Sequence, residues 1–139
     1  MKYQGNQSEA LPQVLEEPSL VYGHFNYFDL ATRDISKNYV KQILSISQLS
    51  LSELMEIIPI SIDTYKRKNE FNPPVTEKIL EIEEVYKTGL NAFGESFHTW
   101  MNTPNQAMAG AIPKKLLSNS FGVRKLLDEI GRIEHGVLA

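Results

Sequence analysis

The sequence predicts an all-α protein, and three observations carry that expectation. Apolar residues recur at helical spacing over about 36–48, 76–93 and 121–135. No stretch alternates with period two for long enough to make a strand. The breaks between the apolar runs fall at capping serines, prolines and glycines. With 139 residues, the chain has the length of one domain, with room for two small helical units around a shared core.

Residues 1–33 show no sustained helical period. Pro12 and Pro18 break the first part, and Tyr22, Phe25, Tyr27 and Phe28 crowd the second. We expect an N-terminal arm tied down by those aromatics, on the body of the protein or on a neighbouring subunit. Ile35, Tyr39, Val40, Ile43, Leu44 and Ile46 then follow a 3.6-residue period, which predicts a helix over about 36–48. Ser50-Leu51-Ser52-Glu53 has the form of a capping box, so a second helix starts there, turns Leu54, Ile57 and Ile58 inward and stops before Pro59. Ser61 is placed to cap a third helix through Arg67 that buries Ile62 and Tyr65. Two short helices joined by a tight turn predict a helix-turn-helix, bounded at about 34–70.

Asn72-Pro73-Pro74-Val75 marks a boundary. From Thr76 a long helix runs to about Phe93, with Ile79, Ile82, Tyr86, Leu90 and Phe93 on its apolar face and Gly94 ending it. Glu77, Glu81, Glu83 and Glu84 read as its solvated side. A short helix over Glu95–Met101, helical turns near Gln106 and Lys114, and a last helix over about 121–135 complete the part from 71 to 139. That last helix places Val123, Leu126, Leu127, Ile130 and Ile133 on one face and finishes at Gly136. Trp100 is expected to pin this part onto the long helix, and Asn105 to close a turn. Close packing would explain Gly110, Gly122 and Gly131.

Composition narrows the chemistry. There is no cysteine, which removes disulfides, thiolate catalysis and Cys-based metal sites and favours an intracellular setting. No apolar run reaches the roughly 20 residues of a membrane span, and no signal-peptide core follows the first residues, so the expectation is a cytoplasmic protein. His24, His98 and His135 lack the spacing of a helical metal pair, and the adjacent pairs Glu83-Glu84 and Asp128-Glu129 diverge on a helix. Neither metal, cofactor nor enzymatic activity is expected. The net charge of −3 is uneven. Two basic residues face four acidic ones over 1–33, and seven face nine over 69–139. Only 34–68 leans positive, five against four, with Lys66-Arg67-Lys68 its densest point. An acidic chain binds DNA only through local arrangement. At the end of the third predicted helix those three cations suit phosphates, while Ser61, Asp63 and Thr64 near its start offer short polar groups to base edges.

The segments Trp100-Met101-Asn102-Thr103-Pro104-Asn105, Ile112-Pro113-Lys114-Lys115-Leu116-Leu117 and Gly131-Arg132-Ile133-Glu134-His135-Gly136, in this order, carry a resemblance. The chain resembles, over roughly 34–137, the Xre/MbcA/ParS antitoxins, in which an Xre-like helix-turn-helix precedes a small helical toxin-binding domain. It departs from them at Met108–Ile112, where members often have Leu-Gly-Gly-Arg, so no role of that arginine is carried over. Pro59 also stands where helix-turn-helix turns often have glycine. The resemblance implies an antitoxin without cofactor or catalytic activity that binds and neutralises a RES-domain, NAD-consuming toxin. It further implies repression of its own operon through operator DNA. The toxin contact is assigned to Arg132, Glu134, His135, Gly136, Val137 and Leu138, and a homodimer is expected, with 107–111 and the aromatics at 22–28 as contacts. Two alternatives stand beside this: a stand-alone transcriptional regulator with a C-terminal dimerisation domain, and a protein-binding module whose helix-turn-helix is a relic.

Overall fold

The computed structural model describes residues 11–18 and 26–136. Helices dominate, and three very short strands add a small sheet that the sequence did not announce. Strand β1 (Val14–Leu15) lies parallel to β2 (Asp34–Ser36), with Leu15 opposite Ile35. β3 (Glu70–Phe71) runs antiparallel on the other side of β2, with Phe71 opposite Ile35 and Glu70 opposite Ser36. Strands of two or three residues have no period to read. Each strand nonetheless contributes one buried apolar residue to the core: Leu15, Ile35 and Phe71. The all-α expectation therefore holds for the bulk of the chain and needs this sheet added.

Helix α1 (Tyr27–Leu30) is a single turn capped by Asn26, and its Leu30 is fully buried. α2 (Lys37–Ser47) starts where the Ser36 hydroxyl accepts from the Tyr39 amide, and it buries Tyr39, Val40 and Ile43. The predicted capping box is present at α3 (Leu51–Met55). The Ser50 hydroxyl accepts from the Glu53 amide at 3.0 Å, and the Glu53 carboxylate accepts from the Ser50 amide at 2.9 Å. α3 ends at Met55, earlier than expected, so six residues rather than three separate it from α4 (Ile62–Arg67). Tyr65 of α4 is buried and stacks on Phe71, with ring centroids 5.5 Å apart, whereas Ile62 is exposed against expectation.

α5 (Pro73–Phe93) is the longest element, and α2 and the final helix both pack along it. Proline at its first two positions suits the unpaired amides of a helix start. Gly94, with φ 65°, ends it. α6 (Ser96–Met101), two 3-10 turns (Gln106–Met108 and Pro113–Ser118) and α7 (Ser120–Glu134) follow as the sequence predicts. α7 buries Val123, Leu126 and Ile130, leaves Leu127 half-buried, and exposes Ile133, which was expected inside.

The carboxylates of α5 correct a second expectation. Glu83 is not solvated: it is buried, and accepts from the hydroxyls of Tyr39 at 2.5 Å and Tyr27 at 3.1 Å. It thus joins α1, α2 and α5 at one point. The position was legible, four residues after Ile79 and three before Tyr86 on the buried stripe.

Candidate partner-binding surfaces

Two aromatic side chains seat the C-terminal part on α5. Phe97 of α6 is fully buried, edge-on to Tyr86 at 5.4 Å and to Phe93 at 5.6 Å. A Cβ added at Gly89 would overlap the Phe97 ring, so the absent side chain at 89 is what lets α6 approach α5. Trp100 lies over the outer face of this pair, stacked on Phe97 at 5.6 Å and only half-buried. Phe97, more than Trp100, is therefore the pin. Burial, with the Glu53 charge second, pushes the Tyr86 phenol well above its ordinary range.

The segment after Trp100 folds into a closed loop. Asn105 pairs with Ala111, its side chain accepts from the Ala107 amide at 2.8 Å, and its carbonyl accepts from the Gly110 amide at 2.8 Å. Asn105 closes a turn, as its sequence context suggests. Gly110 is explained by its φ of 84°, not by crowding, while Gly122 does sit against the Leu116 backbone. Gly131 has open space where a Cβ would go. The 107–111 stretch thus forms this loop's own turn. Lys114, at the start of the second 3-10 turn, reaches Glu53 of α3 at 2.5 Å. The Glu53 carboxyl is held below its ordinary value by that contact first and by the Ser50 amide next.

Of the residues assigned to partner contact at the end of α7, Arg132, Glu134, His135 and Gly136 are all exposed. The Arg132 guanidinium pairs with Glu129 at 3.1 Å, one position beyond the Asp128 partner that helix spacing also allowed. His135 caps the helix and Gly136 takes φ 67°. Val137 and Leu138 lie outside the described residues, as do His24, Tyr22 and Phe25. The candidate DNA-contacting residues sit together on α4 and its edges. Ser61, Asp63, Lys66, Arg67 and Lys68 are exposed and Thr64 is half-buried. Ser61 spends its hydroxyl on the helix start, accepting from the Thr64 amide and donating to the Thr64 hydroxyl, both at 3.1 Å. One cation escaped the sequence reading. Lys37 of α2 donates to the Lys66 carbonyl at 3.1 Å and lies 5.0 Å over the Tyr65 ring, so it joins the basic edge from 29 residues away.

Comparison with known proteins bears on the C-terminal surface. Residues 91–136 match the antitoxin Xre/MbcA/ParS C-terminal toxin-binding domain. Over that segment the chain is similar to the Xre/MbcA/ParS-type antitoxins. An antitoxin Xre of Yersinia enterocolitica is 32% identical over 87 residues, and the match spans 59% of each chain. An antitoxin Xre of Photorhabdus laumondii is 24% identical over 140 residues, spanning 96% of this chain and 93% of that one. The family segment starts inside α5 and takes in α6, both 3-10 turns and α7, so it includes the Phe97 contact and the exposed helix end together. Among the described residues no helix is long and apolar enough to cross a membrane.

Proposed function

We propose that this protein is the antitoxin of a toxin–antitoxin pair. The match of residues 91–136 to a toxin-binding domain is the observation that carries this reading. The partner implied by the resemblance is a RES-domain enzyme that consumes NAD. The exposed end of α7 at Arg132 and Glu134, with His135 and Gly136 and the Val137 and Leu138 that follow in sequence, reaches the toxin and covers its NAD-binding cleft. A guanidinium at 132 suits a carboxylate or a phosphate-receiving pocket, and Glu134 suits a basic substrate-binding group. The antitoxin acts by occupation, in the cytoplasm, with no cofactor and no catalysis of its own. The chain from 34 to 70 is a helix-turn-helix that brings Lys66, Arg67 and Lys68 to operator phosphates, with Ser61, Asp63 and Thr64 towards the bases, and a homodimer represses the operon.

Deleting residues 132–139 tests the toxin contact. The expected result is a protein with unchanged helical circular dichroism that still binds its own upstream DNA but no longer restores NAD in cells expressing the toxin. Full protection by the shortened chain would place the inhibitory contact elsewhere.

A further inference from the structure

Among the described residues the two most exposed large apolar side chains are Phe28 (80%) and Phe121 (78%), and both lead to Glu81, Phe28 through a shared groove and Phe121 through its neighbour Ser120. Phe28 and Glu81 line one groove between α1 and α5, floored by Ala31 and Leu80 and edged by Glu77 and Glu84. Phe121 follows Ser120, whose hydroxyl donates to Glu81 at 2.7 Å. The groove is acidic. Lys78 holds Glu81 at 3.2 Å, while burial and then the Glu81 charge push the Glu84 carboxyl up, with Lys87 opposing. Beside it, the first turn of α7 is the reverse, with Asp128 and the Arg132–Glu129 pair following a turn further on. Arg124 lies 5.4 Å over the Phe121 ring, Lys125 is next, and both are exposed. One surface therefore carries an aromatic acidic groove and an aromatic basic knob side by side.

We propose that this surface is the contact between two copies of the chain. A two-fold axis seats Phe121, Arg124 and Lys125 of each copy in the groove of the other, against Phe28, Glu77 and Glu84. Charge complementarity selects a second copy as the occupant. The two halves have opposite sign and adjoin on one face, so a two-fold rotation satisfies both at once and closes the assembly. A partner carrying a single sign of charge would answer only one half. The contact names the surface of the homodimer proposed above and does not depend on which toxin is bound.

Sedimentation equilibrium of the full chain tests it, with circular dichroism as the check on folding. The wild-type chain is expected to be a dimer. Phe121→Ala and Phe28→Ala are each expected to raise the dimer dissociation constant by about tenfold or more, as loss of a central aromatic does. The charge reversals Arg124→Glu with Lys125→Glu, and Glu77→Lys with Glu84→Lys, are each expected to give monomers. An equal mixture of the two reversed chains restores a dimer, because each groove then meets a knob of opposite sign. A wild-type monomer at about 100 µM, a concentration at which micromolar contacts saturate, would overturn the proposal. So would dimers indifferent to all four variants, or reversed chains that fail to rescue each other. Loss of toxin capture from Phe121→Ala in a monomeric wild type would hand the surface to the toxin.

Discussion

Gly89 and Gly131 occupy the two longest helices and should respond to alanine with opposite signs. At 89 the new methyl meets the Phe97 ring, and overpacking of this kind costs about 1–3 kcal/mol. At 131 nothing stands in the way, and alanine in a helix interior gains up to about 1 kcal/mol over glycine. Urea unfolding of the two variants checks the pair, and a loss of stability at 131 would contradict the open space there. Glu53 gives a pH test. Its carboxyl is lowered by Lys114, so its contribution is present in full above the unfolded value near 4.5 and is lost as pH falls through the lower folded value. Lys114→Met should therefore shrink the stability difference between neutral pH and about pH 3, read as urea midpoints at both. Equal differences in the two proteins would remove the bridge from the acid transition. Helical spacing puts Glu83 on the buried stripe, but neither its partners nor the partner of Gly89 was legible. The partners that define them, Phe97, Tyr27 and Tyr39, come from other elements, and Tyr27 is 56 residues from Glu83.

The elements themselves were largely legible because their boundaries are local chemistry. Ser50 and Ser61 each accept from the amide three residues on, Gly94 takes a positive φ, and Pro73 opens α5. What failed was the choice of face at helix ends. Ile62 and Ile133 continue an apolar period past the point where a neighbour covers it. α3 has only five residues, too few to hold by propensity, so its cap matters more than usual. Ser50→Ala should cost about 1 kcal/mol, since the hydroxyl is half of the reciprocal box. A thermal shift indistinguishable from wild type would mean that Lys114 holds Glu53, and with it α3, unaided. On α4, replacing Lys66, Arg67 and Lys68 by alanine should flatten the salt dependence of DNA binding, by about 0.9 in log–log slope for each phosphate contact removed. Titrations at several salt concentrations measure this, and an unchanged slope would take the three cations out of the interface.

At the scale of the whole molecule, a single buried carboxylate gathers the N-terminal part, α2 and α5. Glu83→Leu leaves two tyrosine hydroxyls without that acceptor, and the expected loss is about 2–5 kcal/mol by the usual cost of buried polar groups left unmet. The pairing of β2 with β3 has a different consequence, one of time. Ser36 and Glu70 stand opposite each other, and the Lys37 amide donates to the Asn69 carbonyl at 2.8 Å. Everything from α2 to α4 is thus a long excursion that leaves and returns through one clasp. The Lys68 amide, bonded to Thr64 within a short helix, can exchange its hydrogen with solvent whenever that helix frays. The Lys37 amide cannot, because its acceptor arrives from the far end of the excursion. In deuterium the clasp should therefore be among the last places to exchange, keeping time with the opening of the whole segment, although it belongs to the smallest elements in the fold.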